Sequence, residues 1–255
     1  MKFEAILRMV ALFAVAMLLS SCSSKPADQK QRELEQTNKV VATNVRLATI
    51  YLQRNQLNFA TEKAENALKA DPKSPDANNM MALLSWRLKE YEKADKYFRK
   101  AVWLQPTNSS ALNNYGAFLC DRGKIDRSLQ YFDRAVENPL YKSRSQALTN
   151  AGRCLIKKPD ARKAEVYFRR ALKFNRNESE ALLQLAILNF QSNRLLTARG
   201  FMQRYMGTGR KTAESLYLAL RIENAMGNKQ EAIGYARELQ RKFPTSTEAS
   251  RVKIR

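Results

Sequence analysis

Residues 75–108 open with Pro75-Asp76-Ala77-Asn78-Asn79-Met80-Met81-Ala82-Leu83-Leu84-Ser85-Trp86-Arg87. They continue through Tyr91-Glu92-Lys93-Ala94-Asp95-Lys96-Tyr97-Phe98-Arg99-Lys100-Ala101 and close on Gln105-Pro106-Thr107-Asn108. Two amphipathic runs joined by a short polar break, with a proline near the end, describe a pair of helices folded into a hairpin. The decisive feature is that the pattern returns. Pro72 and Pro106 are equivalent points, and they set windows 41–74, 75–108 and 109–142; after a two-residue insertion the phase resumes as 145–178, 179–212 and 213–246. The eighth place holds Ala48, Ala82, Gly116, Gly152, Ala186 and Leu220, and the twentieth holds Ala60, Ala94, Ser128, Ala164, Ala198 and Ala232. Small residues at these places let two helices approach closely, and Tyr51, Phe98, Phe132 and Phe168 fill the space that remains. At the twenty-seventh place Ala67, Ala101, Ala135 and Ala171 admit the next hairpin, with Tyr205 departing from the pattern as Leu220 does at the eighth.

This combination resembles the tetratricopeptide repeat, a helix-turn-helix unit of about 34 residues with a proline near its end. An ordinary helical bundle is the alternative, but it requires none of the three features that recur in phase. A single hairpin cannot bury its apolar face, so the expected fold is all-α: a right-handed solenoid of six repeats over 41–246 with a concave groove. Residues 247–255 are left as a C-terminal cap or tail.

The start of the chain carries an address. Lys2 and Arg8 precede an apolar run from Met9 to Leu19, too short to span a bilayer and suited to a signal peptide over 1–21. Leu19-Ser20-Ser21-Cys22 resembles a bacterial lipobox, which implies cleavage before Cys22 and acylation of its sulfur and new amino terminus. A cysteine ending a membrane anchor is the alternative. Stable anchoring takes two lipid signals, and three acyl chains exceed that. Ser23, in place of the Asp that marks inner-membrane retention, implies an outer-membrane lipoprotein facing the periplasm. The polar run that follows reads as a tether over 22–40, turning helical near Gln31.

Cys120 and Cys154 occupy the twelfth place of the third window and the tenth of the fourth. Two places amount to about 200° around a helix, so one can face forward from its helix and the other back. A bridge requires Cα atoms within about 7 Å and would contribute on the order of 3 kcal/mol by pinning adjacent repeats. Two separate buried thiols remain the alternative.

Composition narrows the function. The 255 residues contain no histidine, which removes the commonest general base and metal ligand. Phosphate loops, nucleophile elbows and Cys-x-x-Cys pairs are absent too, so neither an enzyme nor a metal site is expected, and no cofactor beyond the lipid on Cys22. The formal charge is +21, and the mature chain keeps +20 once Lys2, Glu4 and Arg8 are removed. Residues 143–255 hold 23 Lys and Arg against 9 Asp and Glu. Solvated helix faces account for such an excess, and so does a surface facing an acidic partner or anionic lipid. A nucleic-acid surface fits the charge and conflicts with the periplasmic address.

Leu112-Asn113-Asn114-Tyr115-Gly116-Ala117-Phe118-Leu119-Cys120 opens the third repeat, Asn150-Ala151-Gly152-Arg153-Cys154 falls in the fourth, and Leu239-Gln240-Arg241-Lys242-Phe243-Pro244 comes late. With Ala135-Val136-Glu137-Asn138-Pro139-Leu140-Tyr141, Phe174-Asn175-Arg176-Asn177 and the lipobox, these resemble the type IV pilus biogenesis and stability lipoproteins of the PilF/PilW type over the whole mature chain. The resemblance implies a pilotin, which binds secretin subunits and helps them reach or assemble in the outer membrane. The family's concave surface comes from places 2, 5, 9, 12 and 13 of each first helix. That points to Asn79, Trp86, Arg87, Asn113, Arg153 and Lys157 as partner-binding candidates, with Asn114 beside them. An aromatic among cations suits peptide anchorage, and a core role for Trp86 is the alternative. Asn113 and Asn114 suit a partner's extended backbone or a bridge between neighbouring helices. Other readings are an outer-membrane tetratricopeptide lipoprotein serving protein insertion or cell-wall synthesis, and a basic polyanion-binding protein.

Overall fold

The computed structural model describes residues 27–157 and 160–252. The signal peptide and the lipid-attachment candidate Cys22 lie outside them. The described residues form thirteen α-helices and no strand, in two compact units that meet between Pro72 and Lys73.

The first unit is one hairpin of α1 (Ala27–Gln53) and α2 (Leu57–Ala70). Ala48 of α1 and Ala60, Ala64 and Ala67 of α2 are fully buried, and the Tyr51 and Phe59 rings pack 5.4 Å apart. Helix begins at Ala27, four residues before the turn to helix expected near Gln31 within the tether over 22–40. Residues 27–40 bury almost nothing, yet they are rich in Gln, Lys, Arg and Glu and hold no Gly or Pro. Glu35 and Lys39 pair one turn apart at 2.9 Å. Polarity argues against a core there and leaves helix propensity intact.

The second unit stacks five hairpins: α3 (Pro75–Arg87) with α4 (Tyr91–Leu104), α5 (Ser109–Asp121) with α6 (Ile125–Glu137), α7 (Arg144–Lys157) with α8 (Ala161–Phe174), α9 (Ser179–Gln191) with α10 (Leu195–Gly207), and α11 (Ala213–Ala225) with α12 (Lys229–Lys242). A single-turn helix, α13 (Thr247–Ser250), follows. Each helix packs on its hairpin partner and on the next hairpin, and the first helices α3, α5 and α7, and again α9 and α11, lie side by side.

The repeat register governs the local structure. Every second helix begins at the seventeenth place of its window, from Leu57 to Lys229. At the fifteenth place the turn carries a left-handed residue, seen at Asn55, Lys89, Gly123, Asn193 and Gly227 with φ between 56° and 80°. Pro159 holds that place in the fourth repeat and cannot adopt such a φ; it lies outside the described residues. In windows one, two and five the side chain at the last place caps the next first helix. Ser74 accepts a hydrogen bond from the amide of Ala77, Asn108 from Ala111 and Thr212 from Ser215, satisfying amides that a helix start leaves without partners.

The eighth place faces the twenty-fourth across each hairpin. A Cβ on Gly152 would lie 2.6 Å from the Phe168 ring, and one on Gly116 would lie 3.0 Å from Phe132, so glycine gives these two rings their room, whereas in repeat two Ala82 stands opposite the fully buried Phe98. In the sixth repeat the pair is inverted, with Leu220 at the eighth place and Ala236 at the twenty-fourth, both buried. The departure at Leu220 is thus an exchange of large for small across one contact.

In repeats three to six the twenty-sixth place of the second helix ties the repeat to the one before. Arg134 donates to the Pro106 carbonyl at 3.1 Å, Arg170 to Asp133 at 3.0 Å and Arg204 to the Arg176 carbonyl at 2.7 Å. Glu238 inverts the sign and accepts from Lys211 at 2.8 Å. Tyr167 also donates to Asp133, at 2.7 Å, and burial together with that carboxylate pushes its phenol up to about 12.

Candidate partner-binding face

The first helices of the second unit line one face, and its character changes along the stack. Over repeats two to four it is polar and bonded to itself. At the fifth and sixth places the Asn114 amide donates to Asn79 at 3.2 Å, and the Asn150 amide donates to Asn113 at 3.1 Å. Of the two roles open to Asn113 and Asn114, the structure places both in the bridge between neighbouring helices, because each amide finds its complement one repeat away. Asn79 is occupied by the same ladder. The ladder ends at Thr149, which is buried and donates to the Ser145 carbonyl within its own helix.

Three of the candidate residues meet in one cleft of about 250 Å³. Trp86, Arg153 and Lys157 line it with Ala117, Asp121 and Asn150, and Cys120 and Cys154 form its floor. The two cysteines are joined by a disulfide with Cα atoms 5.7 Å apart, covalently linking α5 to α7. Trp86 is half-buried, packed on the core with one side and lining the cleft with the other. Its ring packs edge-on to Phe118 at 5.8 Å and to Phe98 at 6.5 Å, while its indole N–H donates to Asp121 at 3.1 Å. Lys157 stands 3.8 Å from the other Asp121 oxygen and Arg153 stands 3.9 Å from Glu180. These long, exposed pairs contribute little to stability and leave both cations able to turn toward a ligand. Arg87 is exposed and lies outside this cleft.

In repeats five and six the fifth place turns from polar to apolar or aromatic, and in repeat five all three inner places are apolar. Places five, nine and twelve are Leu183, Ile187 and Phe190 in α9, and Tyr217, Arg221 and Asn224 in α11. Leu183, Ile187, Phe190 and Tyr217 are half-buried with no helix laid over them, and they line a second cleft of about 600 Å³ with Glu214, Arg221, Glu248 and Arg251. The Arg221 guanidinium lies over the Phe190 ring at 4.9 Å and near the Tyr217 ring at 5.9 Å. Reading the family's places only as far as the fourth window misses these residues, and carrying the same places two windows further finds them.

The face suits peptide recognition: recessed aromatic and aliphatic side chains, cations at their edges, and backbone held rigid by helix stacking. It offers no catalytic constellation, since a carboxylate, cation or thiol here is paired within a structural bond or stands alone.

Comparison with known proteins agrees with the geometry. Tetratricopeptide-repeat profiles match residues 75–108, 119–179 and 211–246. The type IV pilus assembly protein PilF of Pseudomonas aeruginosa is 27% identical over 241 residues, spanning 94% of this chain and 96% of that protein. The solved structure of P. aeruginosa PilF superposes with a TM-score of 0.75 at 28% identity, over 84% of this chain and 97% of that one. PilW, a type IV pilus biogenesis factor, superposes with a TM-score of 0.72 at 33% identity, over 83% and 97%. YrrB, a tetratricopeptide protein with a peptide-binding site, shares the fold at 18% identity and a TM-score of 0.57. Fold and face together define a tetratricopeptide scaffold, a class whose members typically serve as protein-interaction modules. Within that class the chain belongs to the type IV pilus biogenesis family represented by PilF and PilW.

Proposed function

We propose that this protein is a pilotin: an outer-membrane lipoprotein, anchored through acylated Cys22 and facing the periplasm, that holds secretin subunits of the type IV pilus machine and promotes their assembly into a ring. The observation that carries the reading is kinship along nearly the whole of PilF, at 27% identity over 96% of its length. A lipid anchor supplies the membrane address, and the first-helix face supplies recognition, with Trp86, Arg153 and Lys157 at one end and Leu183, Ile187, Phe190 and Tyr217 at the other. Tethering raises the local concentration of bound subunits and so favours multimer formation without a covalent step.

Deletion of the gene tests this. Heat-stable secretin multimers and surface pili are expected to be lost and to return on complementation, while Cys22→Ser is expected to restore neither fully. Normal multimers in the deletion strain refute the pilotin reading; intact piliation with defective outer-membrane protein insertion or cell-wall synthesis assigns the scaffold to one of those machines.

A further inference from the structure

The repeat register starts a seventh first helix and abandons it. Ser246 holds the place of Ser74, Asn108 and Thr212, and its hydroxyl accepts from the amide of Ala249 at 3.1 Å, so α13 begins where a further first helix would. It ends at Ser250 after a single turn, with Ala249 packed on Leu216 and Leu239. The rest of the surface that such a helix would cover is open. It forms a cleft of about 530 Å³ whose apolar part is Tyr217, Leu220, Ile233, Ala236 and Val252.

The charge around this cleft has one sign. Arg221, Lys229 and Arg251 line it, and no carboxylate does. None of the three forms an ion pair among the described residues, although many other cations on the chain do. Arg221 has its guanidinium face against Phe190 and Tyr217, an arrangement that fixes the plane and leaves its N–H edge free for a carboxylate. Glu214 and Glu248 belong to the neighbouring first-helix cleft, which shares Tyr217, Arg221 and Arg251 with this one.

We infer that this end cleft is a docking site for a short helical segment of a partner protein that carries aliphatic or aromatic side chains beside carboxylates. The segment takes the position of the missing first helix, its apolar side chains on Leu220, Ile233 and Ala236 and its carboxylates on Arg221, Lys229 and Arg251. The same face of α11 and α12 is built to receive a helix, since each preceding hairpin of the second unit receives one there, and the cations select which helix it receives.

The test is independent of the secretin. A random library of displayed 16-residue peptides is selected on the full mature chain, and the enriched peptides are measured by fluorescence anisotropy. They are compared on wild type, on Arg221→Glu/Arg251→Glu, and on Arg162→Glu/Lys163→Glu, which makes the same charge change on α8. Enriched peptides that combine acidic with aliphatic or aromatic residues are expected to lose at least about tenfold in affinity on the first double variant and less than about twofold on the second. Basic or neutral enriched sequences, equal losses on both variants, or no peptide that distinguishes the variants would overturn the inference. Circular dichroism melting confirms that each variant is folded. Secretin multimerisation in cells carrying Lys229→Glu/Ile233→Glu, two residues of the end cleft that do not line the first-helix cleft, keeps the two readings apart: unchanged multimers with lost peptide binding leave the cleft to a different acidic partner, and the pilotin reading stands or falls on the deletion strain alone.

Discussion

Repeats two to four and repeats five to six offer the same places on the same face of the stack and use them oppositely. In the earlier repeats the fifth and sixth places are asparagines bonded to one another, and a disulfide ties α5 to α7. In the later repeats the fifth places hold Leu183 and Tyr217 and no ladder forms among the described residues, while the bonds between repeats at the back include the ion pairs of Glu165 with Arg194 and Glu238 with Lys211, as Arg170 pairs with Asp133 between repeats three and four. The earlier repeats therefore carry a covalent bond and neutral side-chain bonds on this face, whereas the later repeats leave theirs open over a shared apolar core with ion pairs at the back. A residue type that looks suited to binding can be occupied by the scaffold, while a plain leucine at the equivalent place is available.

The largest effect expected from this contrast is at the disulfide. The bridge closes a loop of 34 residues, which the chain-entropy relation converts to about 3.5 kcal/mol. Cys120→Ala/Cys154→Ala, or reduction of the wild type, should lower stability by that amount in urea titration. Hydrogen exchange should quicken mainly in α5 to α8, leaving α11 and α12 little changed. Uniform loosening would show that the stack unfolds as one unit and that the contrast is only local chemistry. Next in size is Gly152→Ala. The added methyl would sit 2.6 to 2.8 Å from three atoms of the fully buried Phe168 ring, and overpacking of this kind costs about 1–3 kcal/mol. Gly116→Ala meets Phe132 at 3.0 Å and should cost less. Equal melting temperatures for the two variants would mean that Phe168 can move as freely as Phe132.

Most of the fold was legible in the sequence because it is set by periodicity. Windows found from prolines and small residues coincide with hairpins whose turns, caps and second-helix starts fall at fixed places. The first helix is legible only in part: the polar run suggests a tether that turns helical near Gln31, and helix starts at Ala27, because polarity measures burial and says little about helix propensity. The site was legible by position more than by chemistry. The places that line the face were identified, and Trp86, Arg153 and Lys157 do share a cleft. Whether an asparagine there points to a ligand or to the next helix depends on what stands one repeat away, at a spacing of 35 or 37 residues. That relation is visible only once the repeats are superposed in space. The sixth repeat hid its cleft behind two apparent defects, Leu220 and the missing Phe at Ala236, which make sense as a pair.

Asn114→Ala and Phe190→Ala separate scaffold from face. Loss of the bond to Asn79 should cost about 1 kcal/mol of stability, with capture of the secretin by the purified mature chain unchanged. Phe190→Ala removes a half-buried aromatic and the surface under Arg221, and capture should fall about tenfold, as expected for an anchor residue. The reverse pattern, with Asn114→Ala impairing capture at full stability, would move the binding surface to the earlier repeats.

The smallest expected effect is that of acid, and it should appear only in the later repeats. Hydrogen bonds from Lys211 and Lys242 hold the Glu238 carboxyl below its ordinary range. Burial pushes Glu165 upward, and hydrogen bonds from Arg194 and Arg169 outweigh that and leave it low as well. A carboxyl whose pKa is lower folded than unfolded contributes stability above its unfolded value, and that contribution is lost as the pH falls through the folded value. Stability supplied by these two residues is therefore complete at neutral pH and declines only below the usual carboxylate range. Both bridge successive repeats, the fourth to the fifth and the fifth to the sixth, whereas the amide ladder and the disulfide of the earlier repeats do not titrate there. Hydrogen exchange in acid should thus quicken in α9 to α12 before α3 to α7. Glu238→Gln should remove part of that pH dependence and weaken the last hairpin at neutral pH. Acid loosening that begins in the earlier repeats would show that the ion pairs at the back do not hold up the open face.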